Sequence, residues 1–103
     1  MGQYFRVEKV SESDGVLELK VGFGDPAQHP AILPDAVATM KALALAGGKL
    51  VKFHGPCSVL VGMALAHEVA HLYSAVACYD PKEAKYVVCI SHNPDFQVGH
   101  HLV

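Results

Sequence analysis

Imidazole is unusually plentiful in this chain, with seven histidines among 103 residues. Most of them, and most other groups able to do chemistry, fall between His54 and His92. In order the candidates are His54, Ser58, His67, Glu68, His71, Asp80, Lys82 and His92. A histidine titrating near neutrality serves as a general acid, a general base or a metal ligand. A carboxylate at a strand end, such as Asp80, can hold a divalent cation or orient a nucleophile. Lys82, two residues on, can neutralise a phosphate.

The segment His67-Glu68-Val69-Ala70-His71 spells H-E-x-x-H. On a helix, residues four apart share a face. His67 and His71 could then pinch a zinc ion while Glu68 acts as the base of its water. Asp80 or His92 is on offer as the third ligand. Two features count against a small zinc peptidase. The pair sits at the C-terminal end of a helix that runs at once into a strand, which leaves little room for a cleft. No second helical region follows to carry the usual third ligand. A last-turn histidine also suits the helix dipole without any metal.

The turn His54-Gly55-Pro56-Cys57-Ser58 leads from a strand into a helix, whose first N–H groups point outward and favour an anion. His54, Gly55 and Ser58 are therefore phosphate-binding candidates, although many such turns bind nothing. Asp80-Pro81-Lys82 ends an apolar strand and also reads as an ordinary Asp-Pro turn. Ser91-His92-Asn93-Pro94 ends another. His29, His100 and His101 read as surface residues of a loop and the tail. Cys57 stands at a helix start, where a thiol pKa can fall. Cys78 and Cys89 lie inside apolar strands and read as small buried hydrophobes.

The elements that must position these groups follow from periodicity. Tyr4–Val10 suggests a first strand and Ser11–Gly15 a turn. Val16–Phe23 alternates strictly, as a half-buried strand does, and pairs most simply with the first. Three prolines punctuate the loop 24–34, and Pro34-Asp35 suits the first turn of a helix reaching about Ala46 before Gly47-Gly48. Leu50–Phe53 is a short strand. Ser58 caps a helix from Val59 to about Tyr73. Ala75–Tyr79 and Tyr86–Ile90 are strands, the latter apolar enough to be central. The tail holds at most a short edge strand.

The expected fold is α+β, close to α/β: one domain over residues 1–103, a single mixed sheet in the order ββαβαββ with helices packed on it. Strand-helix-strand units cross over right-handedly, and functional groups gather at the carboxyl ends of their parallel strands. His54 and Asp80 should share that edge. His92, ending an antiparallel strand, should lie at the opposite one unless a second subunit brings the two together.

Composition narrows the partners. A net charge of −2 with a single arginine, Arg6, gives no general field for nucleic acid. Neither DNA nor a membrane is expected as a partner. The apolar fraction, 51%, against 17% charged residues, is rich for so small a chain, and part of that surface is expected between subunits. Three cysteines without a C-x-x-C pair suit a reducing cytoplasm. No signal peptide and no apolar run of spanning length is read in the chain.

One resemblance draws these pieces together. A helix ending in His71, the segment Tyr79-Asp80-Pro81-Lys82, the run Tyr86-Val87-Val88-Cys89-Ile90-Ser91-His92-Asn93-Pro94 and a late Gly99 resemble the small CRISPR-associated ring nucleases of type III systems. That family degrades cyclic tetra-adenylate, an antiviral second messenger. The resemblance covers roughly Leu50 to Val103. It implies a ferredoxin-like variant fold, a homodimer that assembles further around a cyclic oligoadenylate RNA, and manganese dependence. It implies His71, Asp80 and His92 as catalytic and metal-binding groups, and Lys82 beside the phosphate. The chain departs from the family in three places. Lys82 replaces an arginine, Glu83-Ala84 replaces a glycine-rich turn, and His54-Gly55-Pro56 replaces Ser-Gly-basic. The alternatives are a module that binds the cyclic nucleotide without cutting it, and the zinc peptidase.

Overall fold

Alternation along Val16–Phe23, strand β2, decides which side of the sheet becomes core. Leu17, Leu19 and Val21 point to one face and are buried, while Glu18 and Lys20 point to the other. β2 pairs antiparallel with β1, Phe5–Ser13, through the two-residue turn Asp14-Gly15. Both turn residues have positive φ, 53° and 79°, which is the type I′ geometry matched to strand twist. The turn is thus shorter than composition suggests, and β1 runs on to Ser13 with an irregularity between Lys9 and Ser11. In this computed structural model, which describes residues 2–102, helix α1 (His29–Ala42) leads to β3 (Leu50–His54), and α2 (Val59–Val69) leads to β4 (Ala75–Asp80). The chain ends in β5 (Lys85–Ser91) and the short β6 (His101–Leu102).

The six strands lie side by side in chain order. β2, β3 and β4 are mutually parallel, and the outer pairs are antiparallel. This is a single mixed α+β sheet with both helices on it, as the order of elements implies. Ile32, Ala36 and Met40 of α1 and Val61, Leu65 and Val69 of α2 close over Leu17, Leu19, Val51, Phe53 and Val76. Each such side chain contributes roughly 1.5–3 kcal/mol on burial. On the other face a smaller cluster of Leu50, Ala75 and Ala77 is covered by Phe96 and Leu102 from the tail.

Four expectations need correction. α1 begins at His29 with Pro30 in its first turn, and Pro34 lies inside the helix rather than opening it. The N–H that Pro34 lacks would have met the Pro30 carbonyl, so one bond is forgone while the buried face Ile32–Ala36–Met40 continues. Asp35 is consequently no first-turn residue. Its carboxylate accepts the backbone N–H groups of Tyr4 and Phe5 at 2.8 and 2.9 Å and ties β1 to α1. α1 also stops at Ala42, short of Ala46, and α2 stops at Val69, short of Tyr73. Gly48 is the reason for the second: it donates to the Leu72 carbonyl and accepts from Ser74 N, and this parallel bridge captures the chain before another helical turn forms. Lastly, β5 is not central but next to the edge strand β6.

Candidate functional site

The parallel strands β3 and β4 deliver two of the candidates to one edge of the sheet. His54 ends β3 and Asp80 ends β4. The His54 ring lies 4.3 Å, centroid to centroid, from Tyr79 and 6.4 Å from Tyr86. Tyr79 and Tyr86 meet edge to face at 5.3 Å. The Tyr86 hydroxyl donates to Glu18 Oε2 at 3.0 Å, and Lys52 Nζ stands 4.7 Å from the Tyr86 ring centroid. Burial first, then the bond to Glu18 and its negative charge, push the Tyr86 phenol up to about 12. It therefore stays a neutral donor across the physiological range.

The turn after His54 is tight. Gly55 sits at φ 132°, and a side chain there would run into the Val21 carbonyl oxygen. Ser58 caps α2, its hydroxyl accepting from Val61 N at 3.2 Å. The same oxygen is 3.0 Å from His29 Nε2, so His29 braces the cap of α2 rather than standing free on the surface. Asp80 Oδ1 accepts from Lys82 N at 2.9 Å. That side-chain turn holds the carboxylate in place and leaves the exposed Lys82 side chain projecting from the hairpin. Ala84 closes the hairpin at φ 55°, a conformation that glycine adopts more readily.

His71 and His92 are at the other edge. Together with Tyr73 and Ser74 they line one shallow concavity. His92 N donates to the Ser74 carbonyl at 2.8 Å. Ser74 Oγ donates to the Lys49 carbonyl at 2.7 Å and accepts from Asn93 Nδ2 at 3.2 Å. These bonds set the backbone from which both imidazoles project. Asp80 is separated from this concavity by the length of β4, six residues, or about 16 Å. The single chain therefore brings together His54, Gly55, Asp80 and Lys82 at one edge and His71 and His92 at the other. No group of three His, Cys, Asp or Glu able to hold a metal forms among the described residues.

The H-E-x-x-H segment lacks the geometry of a zinc helix. His71 lies beyond the end of α2, and its ring is perpendicular to that of His67 at 6.1 Å. Glu68 is turned toward α1, lining a recess with Met40, Lys41 and Leu45. His67 is left exposed, with Glu68 Oε2 3.6 Å from its Nδ1.

Beside α2, on the helix side of β4 and β5, an apolar groove of about 460 Å³ remains open. Cys57, Cys78 and Cys89 all line it, and all three are exposed. Cys78 and Cys89 are not the buried hydrophobes expected, because two helices do not cover the full width of six strands. Partial burial against the groove wall pushes the Cys57 thiol up rather than down. It pushes Cys78 up to about 12, with the Cys89 thiol alongside adding to the shift. None of this makes a reactive thiolate.

A family model described as CRISPR-associated protein (Cas_csx3) matches residues 26–103. The chain belongs to this family. Every Cas_csx3 residue singled out above, from His54 to His92, lies inside the matched span, and the β1–β2 hairpin lies outside it. No curated protein and no solved structure matches the chain. No helix among the described residues is long and apolar enough to cross a membrane.

Sequence alone does not single out Tyr79 and Tyr86 as site residues. Their signal was present: once Asp80 and Lys85 close a hairpin, Tyr79 and Tyr86 must face one another.

Proposed function

We propose that this Cas_csx3 protein is a metal-assisted phosphodiesterase that degrades a cyclic oligoadenylate, cyclic tetra-adenylate, in type III CRISPR antiviral signalling. The supporting observation is the division of polar groups between two edges of one sheet, in a chain of a CRISPR-associated family. The carboxylate and the lysine occupy one edge, and the two imidazoles the other. A site containing all of them must be shared between copies. On this reading His71 and His92 of one chain face Asp80 and Lys82 of another.

An apolar surface suited to such self-association exists. Val59 and Met63 on α2 are 79% and 71% exposed and border the groove beside β4 and β5. A homodimer closing on it would bury the excess apolar surface.

Two imidazoles and a carboxylate are a nitrogen and oxygen donor set for a first-row divalent metal, and manganese is the one the family resemblance implies. His71, His92 and Asp80 of a second copy would hold the ion, which when bound supplies Lewis-acid polarisation of a phosphoryl oxygen. The chain's own groups have separate tasks. The backbone bond from Lys82 keeps the Asp80 carboxylate pointed outward. Lys82 supplies a positive charge for a phosphate, as a point charge rather than as a planar fork. His71 or His92, where it does not hold the ion, would accept the proton of the attacking hydroxyl or return one to the leaving oxygen.

Incubation of the purified protein with labelled cyclic tetra-adenylate, with and without manganese, tests the reading. Manganese-dependent ring opening is expected, falling at least about 100-fold in Asp80→Ala. No cleavage by the native chain would overturn it. A second reading, binding without cleavage, is favoured by Lys82 in place of the fork-forming arginine. Tight binding of the ring with no turnover would select it.

A further inference from the structure

Strand register lines up Glu8, Lys20 and His54 on the sheet face away from the helices, and beyond His54 come Tyr79 and Tyr86. The last three form a continuous band of rings at the carboxyl edge. They are not core: His54 is exposed, and Tyr79 and Tyr86 are only half-buried. One residue deeper on the same face, Ala77 and Val88 are buried, in a region where the tail residues Phe96 and Leu102 pack on the sheet. The rings therefore make a ledge with the tail behind it and solvent in front.

Cations flank the ledge. Lys52 stands over Tyr86, and Lys20 lies beside His54. Glu18 accepts from the Tyr86 hydroxyl and lies in register with Lys52, and Glu8 lies in register with Lys20. Two lysines and two carboxylates balance on this strip, so the rings rather than a net positive field mark it out. Aromatic faces with lysines beside them complement a base carrying a phosphate, since every nucleobase offers a π face and each phosphate a negative charge. In the T-shaped setting of Tyr79 and Tyr86, 72° between planes, the edge of one ring meets one face of the other, which leaves further ring faces for stacking.

We propose that the His54–Tyr79–Tyr86 ledge stacks one adenine base of the bound nucleotide, with Lys52 and Lys20 beside its phosphates. The inference rests on the nucleotide reading above and deepens it by assigning the base, rather than the phosphate, a place on the chain. Asp80 and Lys82 follow Tyr79 directly, so a base held on the ledge puts its neighbouring phosphodiester within reach of the hairpin.

Calorimetry on the full chain without manganese, with cyclic tetra-adenylate and with its abasic counterpart, tests this. The intact ring is expected to bind about tenfold more tightly than the abasic ring. Tyr79→Leu should remove most of that difference and Tyr79→Phe should keep it. His54→Leu, at an exposed position, should reduce it as well and stands in if Tyr79→Leu fails to fold. A role confined to sheet stability would lower the melting temperature and leave the contrast between the two rings intact. Native protein that binds both rings equally, or Leu variants that keep the contrast, would overturn the ledge while leaving cleavage standing. A native chain that neither binds nor cleaves the ring would remove both proposals.

Discussion

The two edges of the sheet are built differently. At the carboxyl edge, parallel β3 and β4 end in side chains that reach outward: His54, Asp80 and, on the hairpin, Lys82. Aromatic contacts and one tight glycine turn brace them. At the opposite edge the backbone itself does the bracing. Gly48, Lys49, Ser74 and His92 exchange main-chain and hydroxyl hydrogen bonds, and His71 and His92 project from that lattice. A parallel βαβ arrangement necessarily puts helix ends and strand ends on opposite sides. A residue at the end of α2 and one at the end of β4 therefore cannot meet within one chain. The lesson is that folding alone keeps these candidates apart, and on the proposed reading a second copy would have to bring them together.

Selective damage to each edge sharpens the contrast. The largest effect is expected from Gly55→Ala, whose new methyl group meets the Val21 carbonyl at a positive φ. A loss on the order of 3 kcal/mol is expected in urea unfolding. Hydrogen exchange should rise at β2 and β3 before it rises around Ser74. Equal loosening at both edges would break the contrast.

Acid should act next most strongly, also on the carboxyl side. The Phe5 N–H bond lowers the Asp35 pKa most, partly offset by burial, and the Tyr4 N–H bond adds to the lowering. The stability Asp35 contributes is therefore complete above the ordinary carboxylate range and is lost as pH falls through its lowered value. Asp35→Ala should cost about 1–2 kcal/mol at neutral pH, discounted for partial exposure. It should also flatten the acid limb of the stability curve measured by chemical denaturation. An unchanged acid limb would show that the tie between β1 and α1 does not matter.

The smallest effect belongs to the other edge. Ser74→Ala removes the hydroxyl that links Lys49 to Asn93. A loss of about 1 kcal/mol is expected, or roughly 5 °C in melting temperature. The loss should be accompanied by shifted His71 and His92 ring resonances and unchanged His54. A shift at His54 would mean the edges communicate through β4.

Much of this division is legible in the sequence. The strict alternation of β2, the Ser58 cap and the βαβ order together put His54 and Asp80 on one edge and His92 on the other. What was not legible depended on contacts distant in sequence. Pro34 looks like a helix start because local rules favour it there, but the buried stripe through Ile32 and Ala36 begins the helix earlier. The end of α2 is decided by Gly48, more than twenty residues away. The apolar run of β5 resembles a central strand, yet it lies next to the edge. An apolar pattern says that a surface is covered and not by what. Cys78 and Cys89, exposed on the groove, show the same ambiguity.

Mixing two inactive variants tests the shared site most directly. Asp80→Ala and His92→Ala damage opposite edges, so each should abolish manganese-dependent cleavage of cyclic tetra-adenylate when purified alone. Co-refolded in equal amounts, they should regain about a quarter of native activity, because half of randomly paired dimers then hold one undamaged composite site. A mixture as inactive as its parents, or an active single variant, would contradict a site built from two edges of two chains.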